Sequence, residues 1–88
     1  MASYKVFIKP SAVKEIESLP KKDRSRVIQK IKGLATDPRP PGCEKLTGED
    51  KYRIRQGSYR IVYSITDTQL IVIVVKVGHR RDIYKKTT

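Results

Sequence analysis

Eighty-eight residues make one domain with a modest core, and 20 Lys and Arg against nine Asp and Glu leave a formal net charge of +11. So large an imbalance in so short a chain implies a polyanionic partner: nucleic acid, an acidic protein or a membrane surface. No apolar run approaches the roughly 18 residues that span a bilayer, so no membrane partner is expected. One cysteine excludes an internal disulfide, and one cysteine with one histidine excludes an intramolecular zinc site.

Met1-Ala-Ser-Tyr-Lys-Val leads straight into a strand pattern with no signal-peptide organisation, which with the lone Cys43 points to the cytoplasm. Tyr4, Val6 and Ile8 alternate with Lys5, Phe7 and Lys9, as in a half-buried strand. Pro10 ends that strand, and Ser11 is placed to N-cap a short helix with Ala12, Val13, Ile16 and Leu19 as its apolar stripe. Pro20 suits the first turn of a second helix, where Val27, Ile28, Ile31, Leu34 and Ala35 recur at helical spacing. Arg24, Arg26, Lys30 and Lys32 face outward or flank that stripe. Asp37-Pro-Arg-Pro-Pro-Gly42 stops the helix and opens a loop to about Asp50. Three strands follow, at about Tyr52–Arg55, Ser58–Ile65 and Leu70–Val77. The last is apolar at nearly every position, as expected of a central strand, with one face covered by the helix pair and the other only partly covered. The order is β-α-α-β-β-β with a terminal turn or helix: an α+β domain in two layers, with an antiparallel sheet packed on an N-terminal helical hairpin. The whole chain, 1–88, forms one domain.

The hairpin carries the chemistry. Tyr52, Ile54, Tyr59, Ile61 and Tyr63 share an apolar face, where the tyrosines serve as core, and Arg53, Arg55 and Arg60 share the other. With Gln56-Gly57 as the turn, Arg53 falls opposite Arg60, and like charges so placed repel. A fold tolerates that most readily where an anion is to sit. Arg80, Arg81 and Tyr84 follow on the third strand. Guanidinium groups match phosphate oxygens bidentately and stabilise the charge of a pentacoordinate transition state. A tyrosine among arginines has its phenolate favoured and becomes a credible base. RNA brings its own nucleophile in the 2′-OH, so cleavage by this set needs neither metal nor cofactor. A single His79 rules out a two-histidine ribonuclease arrangement, and no phosphate loop, nucleophile elbow or paired carboxylates are present. The residues alone leave three readings open: non-catalytic nucleic-acid binding, metal-free RNA cleavage and a basic protein-interaction module.

Tyr4-Lys-Val-Phe7, Ala12 through Leu19, Asp37-Pro-Arg-Pro40, Lys45-Leu-Thr-Gly48, Tyr52-Arg-Ile-Arg55, Tyr59-Arg-Ile-Val-Tyr63 and Val77-Gly-His-Arg-Arg-Asp-Ile-Tyr84 follow one another at family spacing. In this ordered set the chain resembles RelE-type toxins of the RelE/ParE toxin–antitoxin superfamily over nearly its whole length. The resemblance implies a ribosome-dependent, metal-independent messenger endoribonuclease that inhibits translation. It implies Tyr84 as base, Arg80 at the leaving oxygen, and Arg53, Arg55 and Arg60 on the phosphate. Arg81, His79, Lys51 and Lys45 are then expected to contact RNA. The implied partners are a RelB-like antitoxin, the ribosome with its messenger RNA, and operator DNA for the toxin–antitoxin complex. ParE-like inhibition of DNA gyrase without RNA cleavage is the alternative.

Overall fold

The structure is a computed structural model and describes residues 3–46, 48 and 50–79. Its elements are β1 (Lys5–Ile8), α1 (Pro10–Glu17), α2 (Lys21–Gly33), β2 (Glu44–Lys45), β3 (Lys51–Gln56), β4 (Tyr59–Thr66) and β5 (Ile71–His79). The strands form one sheet in the order β1-β5-β4-β3-β2. Both helices lie on one face of it, where Ala12, Ile16, Val27, Ile31 and Leu34 pack against Ile54, Ile61, Tyr63, Val72, Val74 and Val77. Tyr4, Tyr52 and Tyr59 pack around that cluster, the core role expected of the hairpin tyrosines.

The two-layer α+β architecture is as expected, with three corrections. The sheet is mixed: β1 pairs parallel with β5, Lys5 opposite Ile71 through Ile8 opposite Val74, while the other pairs are antiparallel. Parallel neighbours need a long crossover, and everything between the first and last strands supplies it. The expected long loop contains the two-residue β2, paired with β3 at Arg53 and Tyr52. Pro10 starts α1 rather than merely ending β1. It occupies the first helical turn, where its missing N–H costs nothing, and Lys9 rather than Ser11 is the N-cap. Pro20 is likewise the N-cap of α2, and Leu19 sits in the connection.

The hairpin register also differs. Gly57 and Ser58 form the turn, so Gln56 faces Tyr59, Arg55 faces Arg60, and Arg53 faces Val62. Gly57 has φ 61°, and Ser58 is not left-handed. A two-residue hairpin loop of type II′ wants glycine at its first central position, so Gly-Ser is favoured over Gln-Gly. The faces survive this shift of register, but the opposed arginines become Arg55 and Arg60.

Strand β5 explains its own composition. Opposite β4 the register runs Val62 to Lys76 and then Tyr63 to Val74, which leaves Val75 as a bulge. Val72 and Val74 before the bulge and Val77 after it all reach the core, while Ile73 points to the other face and is 36% exposed. The near-continuous apolar run therefore reflects a bulge as well as burial, and the second face is only partly covered, as expected. Beyond the end of β1, the Glu15 carboxylate accepts the Val77 N–H at 3.0 Å and pairs with Lys76 at 3.1 Å, in place of a neighbouring strand.

A clamp closes the opposite end. Arg39 donates two hydrogen bonds to Asp67, at 3.1 and 2.9 Å, and lies over the Tyr52 ring. The Tyr4 hydroxyl donates to the same carboxylate at 2.7 Å. The buried Tyr63 hydroxyl donates to the Pro38 carbonyl at 2.7 Å. These contacts pin the proline-rich loop to β1, β3 and the β4–β5 turn.

Candidate nucleic-acid interface

Alternation along β3 and β4 places Lys51, Arg53, Arg55 and Arg60 on the sheet face away from the helices. Tyr52, Ile54, Ile61 and Tyr63 must fill the core, so every intervening residue is turned outward. The basic face is thus a by-product of the apolar one, and its composition is what needs a reason.

Arg60 stands out, at 3% exposed. A guanidinium taken out of water carries a desolvation cost of several kcal/mol unless its surroundings compensate it. Directly across the ladder stands Arg55, an exposed cation of the same sign. Arg53 differs from both, because its Nη2 meets the Glu44 carboxylate at 2.7 Å. That pair joins residues directly opposite on β2 and β3. It was not anticipated, although an acid nine residues before Arg53 across a loop was the available signal. Arg53 is therefore positioned by Glu44, and Arg55 is the exposed member of the set.

Two residues expected to contact RNA lie on the other face. Lys45 is opposite Tyr52, which puts it on the helix side at the edge of the sheet. His79 is opposite Tyr59, and their rings meet edge to face at 5.9 Å, again on the helix side. Strand parity, which the linear motif does not show, separates both from Arg55 and Arg60. Arg80, Arg81 and Tyr84 lie outside the described residues.

Among the described tyrosines, three hold their protons more firmly than usual. Burial first, and then a hydrogen bond with Cys43, pushes Tyr63 far up. The Asp67 hydrogen bond raises Tyr4, and burial followed by the contact with Asp23 raises Tyr59. None of these three is suited to accept a proton near neutral pH. No cluster of three or more metal-ligating side chains occurs among the described residues. None of their helices is long and apolar enough to cross a membrane.

Comparison with known proteins gives this surface a context. The family model described as ParE toxin of type II toxin-antitoxin system, parDE, matches residues 6–84. A RelE-like toxin protein of Escherichia coli is 34% identical over 92% of this chain and 90% of its own length. Toxin RelG of Mycobacterium tuberculosis is 30% identical over 94% of this chain and 98% of its own. Among solved structures, the RelBE2 toxin–antitoxin complex of M. tuberculosis superposes with a TM-score of 0.81 at 28% identity, covering 91% of this chain and 94% of that one. The RelE–RelB complex of Pyrococcus horikoshii gives 0.77 at 31% identity, covering 89% and 96%. With the sheet order, the helical layer and the matched length in agreement, the chain belongs to the RelE/ParE superfamily of type II toxin–antitoxin toxins and is a toxin of the RelE type.

Proposed function

We propose that this toxin is a ribosome-dependent, metal-independent messenger endoribonuclease. The observation that carries the reading is Arg60, a nearly fully buried cation placed across from Arg55 on the basic face. Two guanidinium groups side by side on one sheet face present concentrated positive charge in a geometry that matches phosphate oxygens, which supports a phosphate site there.

In this reading Arg55 and Arg60 grip the non-bridging oxygens of the scissile phosphate, and Arg53, steadied by Glu44, borders them. Tyr84 takes the proton of the 2′-OH, the role that the resemblance to RelE-type toxins implies for it. The 2′ oxygen bonds to phosphorus as the bond to the 5′ oxygen breaks. Arg80 stabilises that leaving oxygen, and the products are a 2′,3′-cyclic phosphate and a 5′-hydroxyl. Preorganised donors on developing charge are worth about 10²–10³ in rate apiece, enough to make each arginine visible in kinetics. The physiological partners in this proposal are the ribosome with its messenger and a RelB-like antitoxin, the companion of the solved relatives. With that antitoxin the toxin would bind operator DNA.

Primer extension on a reporter message after induced expression tests the activity. Arg60→Ala and Tyr84→Phe should each lower cleavage by at least about 100-fold. Cleavage at wild-type rates by both variants would remove the proposed site. Intact messages with gyrase-dependent DNA breaks would replace the activity with that of a ParE-like gyrase inhibitor.

A further inference from the structure

The basic face does not end at Arg55. Strand β2 covers β3 only opposite Tyr52 and Arg53. Just before it the chain turns away through Pro40–Cys43, where the Cys43 N–H donates to the Pro40 carbonyl at 3.0 Å and Gly42 sits at φ 89°. Proline and then left-handed glycine at the two central positions make a type II turn. The Leu46 N–H donates to the Lys51 carbonyl on the outer edge of β3. By alternation Arg55 directs its own backbone groups to the same edge, past the point where β2 stops. A hollow of about 340 Å³ opens there between the turn and α2, lined by Lys30, Glu44 and Arg55 among others. A second hollow of about 420 Å³, lined by Arg26, Gln29, Lys30 and Gln56, adjoins it and shares Lys30.

The charge in this groove is not neutralised from within. Among the described residues, the one acid in its lining, Glu44, is held by Arg53. Arg26 and Lys30 are one helical turn apart, a like-charge spacing that weakens a helix. Apart from Pro41 and Ile54, the described lining of the two hollows is polar or glycine, which offers little to the apolar anchors of an amphipathic helix. The exposed large apolar side chains Phe7, Val13, Leu70 and Ile73 all lie elsewhere. A sugar–phosphate backbone needs no such anchors. It needs cations at intervals and amides to receive sugar and base edges, and Gln29 and Gln56 supply the latter.

We propose that this groove is a second RNA-backbone track, in which Arg26 and Lys30 hold phosphates of the single strand that passes Arg55. The inference rests on the reading of the basic face as an RNA site and extends it around the edge of β3 onto α2. Each neutralised phosphate on a single strand contributes about −0.7 to the slope of log K against log salt. An Arg26→Gln/Lys30→Gln double variant should therefore lose roughly 1.4 from that slope and bind about 25-fold more weakly at 0.1 M salt.

The probe is a fully 2′-O-methylated single-stranded RNA of a dozen nucleotides, which cannot be cleaved, titrated by fluorescence anisotropy across a salt series. A Lys5→Gln/Lys14→Gln variant removes the same charge elsewhere on the surface and should keep the wild-type slope. Circular dichroism and urea melts confirm that both variants fold, as expected for exposed or half-exposed positions. Equal affinity and slope for the two double variants would overturn the track. So would intact RNA binding with loss of binding to a polyglutamate peptide, which would give the groove to an acidic protein. Failure of the cleavage reading is separate: it would show as wild-type protein that leaves messages intact, whatever the groove variants do to binding.

Discussion

Arg60 and Asp67 illustrate what a single position does and does not disclose. Alternation was enough to put Arg60 with Arg53 and Arg55, because the apolar partners Ile61 and Tyr63 fix the parity of β4. Its burial was not legible, since a pattern of faces says nothing about what lies over them. The Arg39–Asp67 contact was invisible for a related reason: it joins two loops far apart in sequence whose approach only the assembled sheet creates. Arg39 first, and then the Tyr4 hydroxyl, hold the Asp67 carboxyl below its ordinary 3.8. A depressed carboxyl stabilises the fold above its unfolded value and ceases to do so as pH falls through the folded one. Asp67→Asn should thus flatten the pH dependence of urea stability below about pH 4 and leave it little changed near neutrality, as expected of an exposed ion pair. Tyr63→Phe should cost more. It strands the Pro38 carbonyl in a buried site, and a loss of about 1–3 kcal/mol in urea unfolding is expected.

At the level of elements, the helices and long strands were readable from period alone, because each buries one continuous face. The hairpin turn was not, since Gln56-Gly57 and Gly57-Ser58 both offer a glycine. The left-handed first position decides between them only once the strands are paired. Gly57→Ala tests that assignment with little interference, as an added Cβ meets nothing within 4 Å. The cost is therefore the backbone's own, about 1–3 kcal/mol for an L-residue held at a positive φ that favours glycine. A urea melt of the variant measures it, and a neutral result would mean that the turn relaxes. Strand β2 escaped notice because two residues make no period; its only sequence mark was Glu44 ahead of Arg53. The α2 cations were legible as outward-facing, but not as groove-lining, because the groove exists only where the Pro40–Cys43 turn leaves the edge of β3 bare.

The molecule as a whole sets its apolar layer on one side and concentrates charge on the other and around one edge. With a net charge of +11, capture of an acidic partner should be steered at long range. The association rate with the proposed antitoxin should fall steeply between 0.05 and 0.5 M salt while the dissociation rate changes less, a contrast that stopped-flow measurements would check. The sidedness on which both proposals rest depends on β5, and Val75 gives that strand an unusual tolerance to length. In a strand without a bulge, excising one residue turns the remainder inside out, because side chains alternate with period two. Excising Val75 restores strict alternation and leaves Val77 and His79 on the sides they already occupy. The sheet thus carries one spare residue, at a site where a chain can lengthen or shorten by one without exchanging its two surfaces. A Val75 deletion that folds, beside an Ile54 deletion from the unbulged β3 that does not, would show that slack directly.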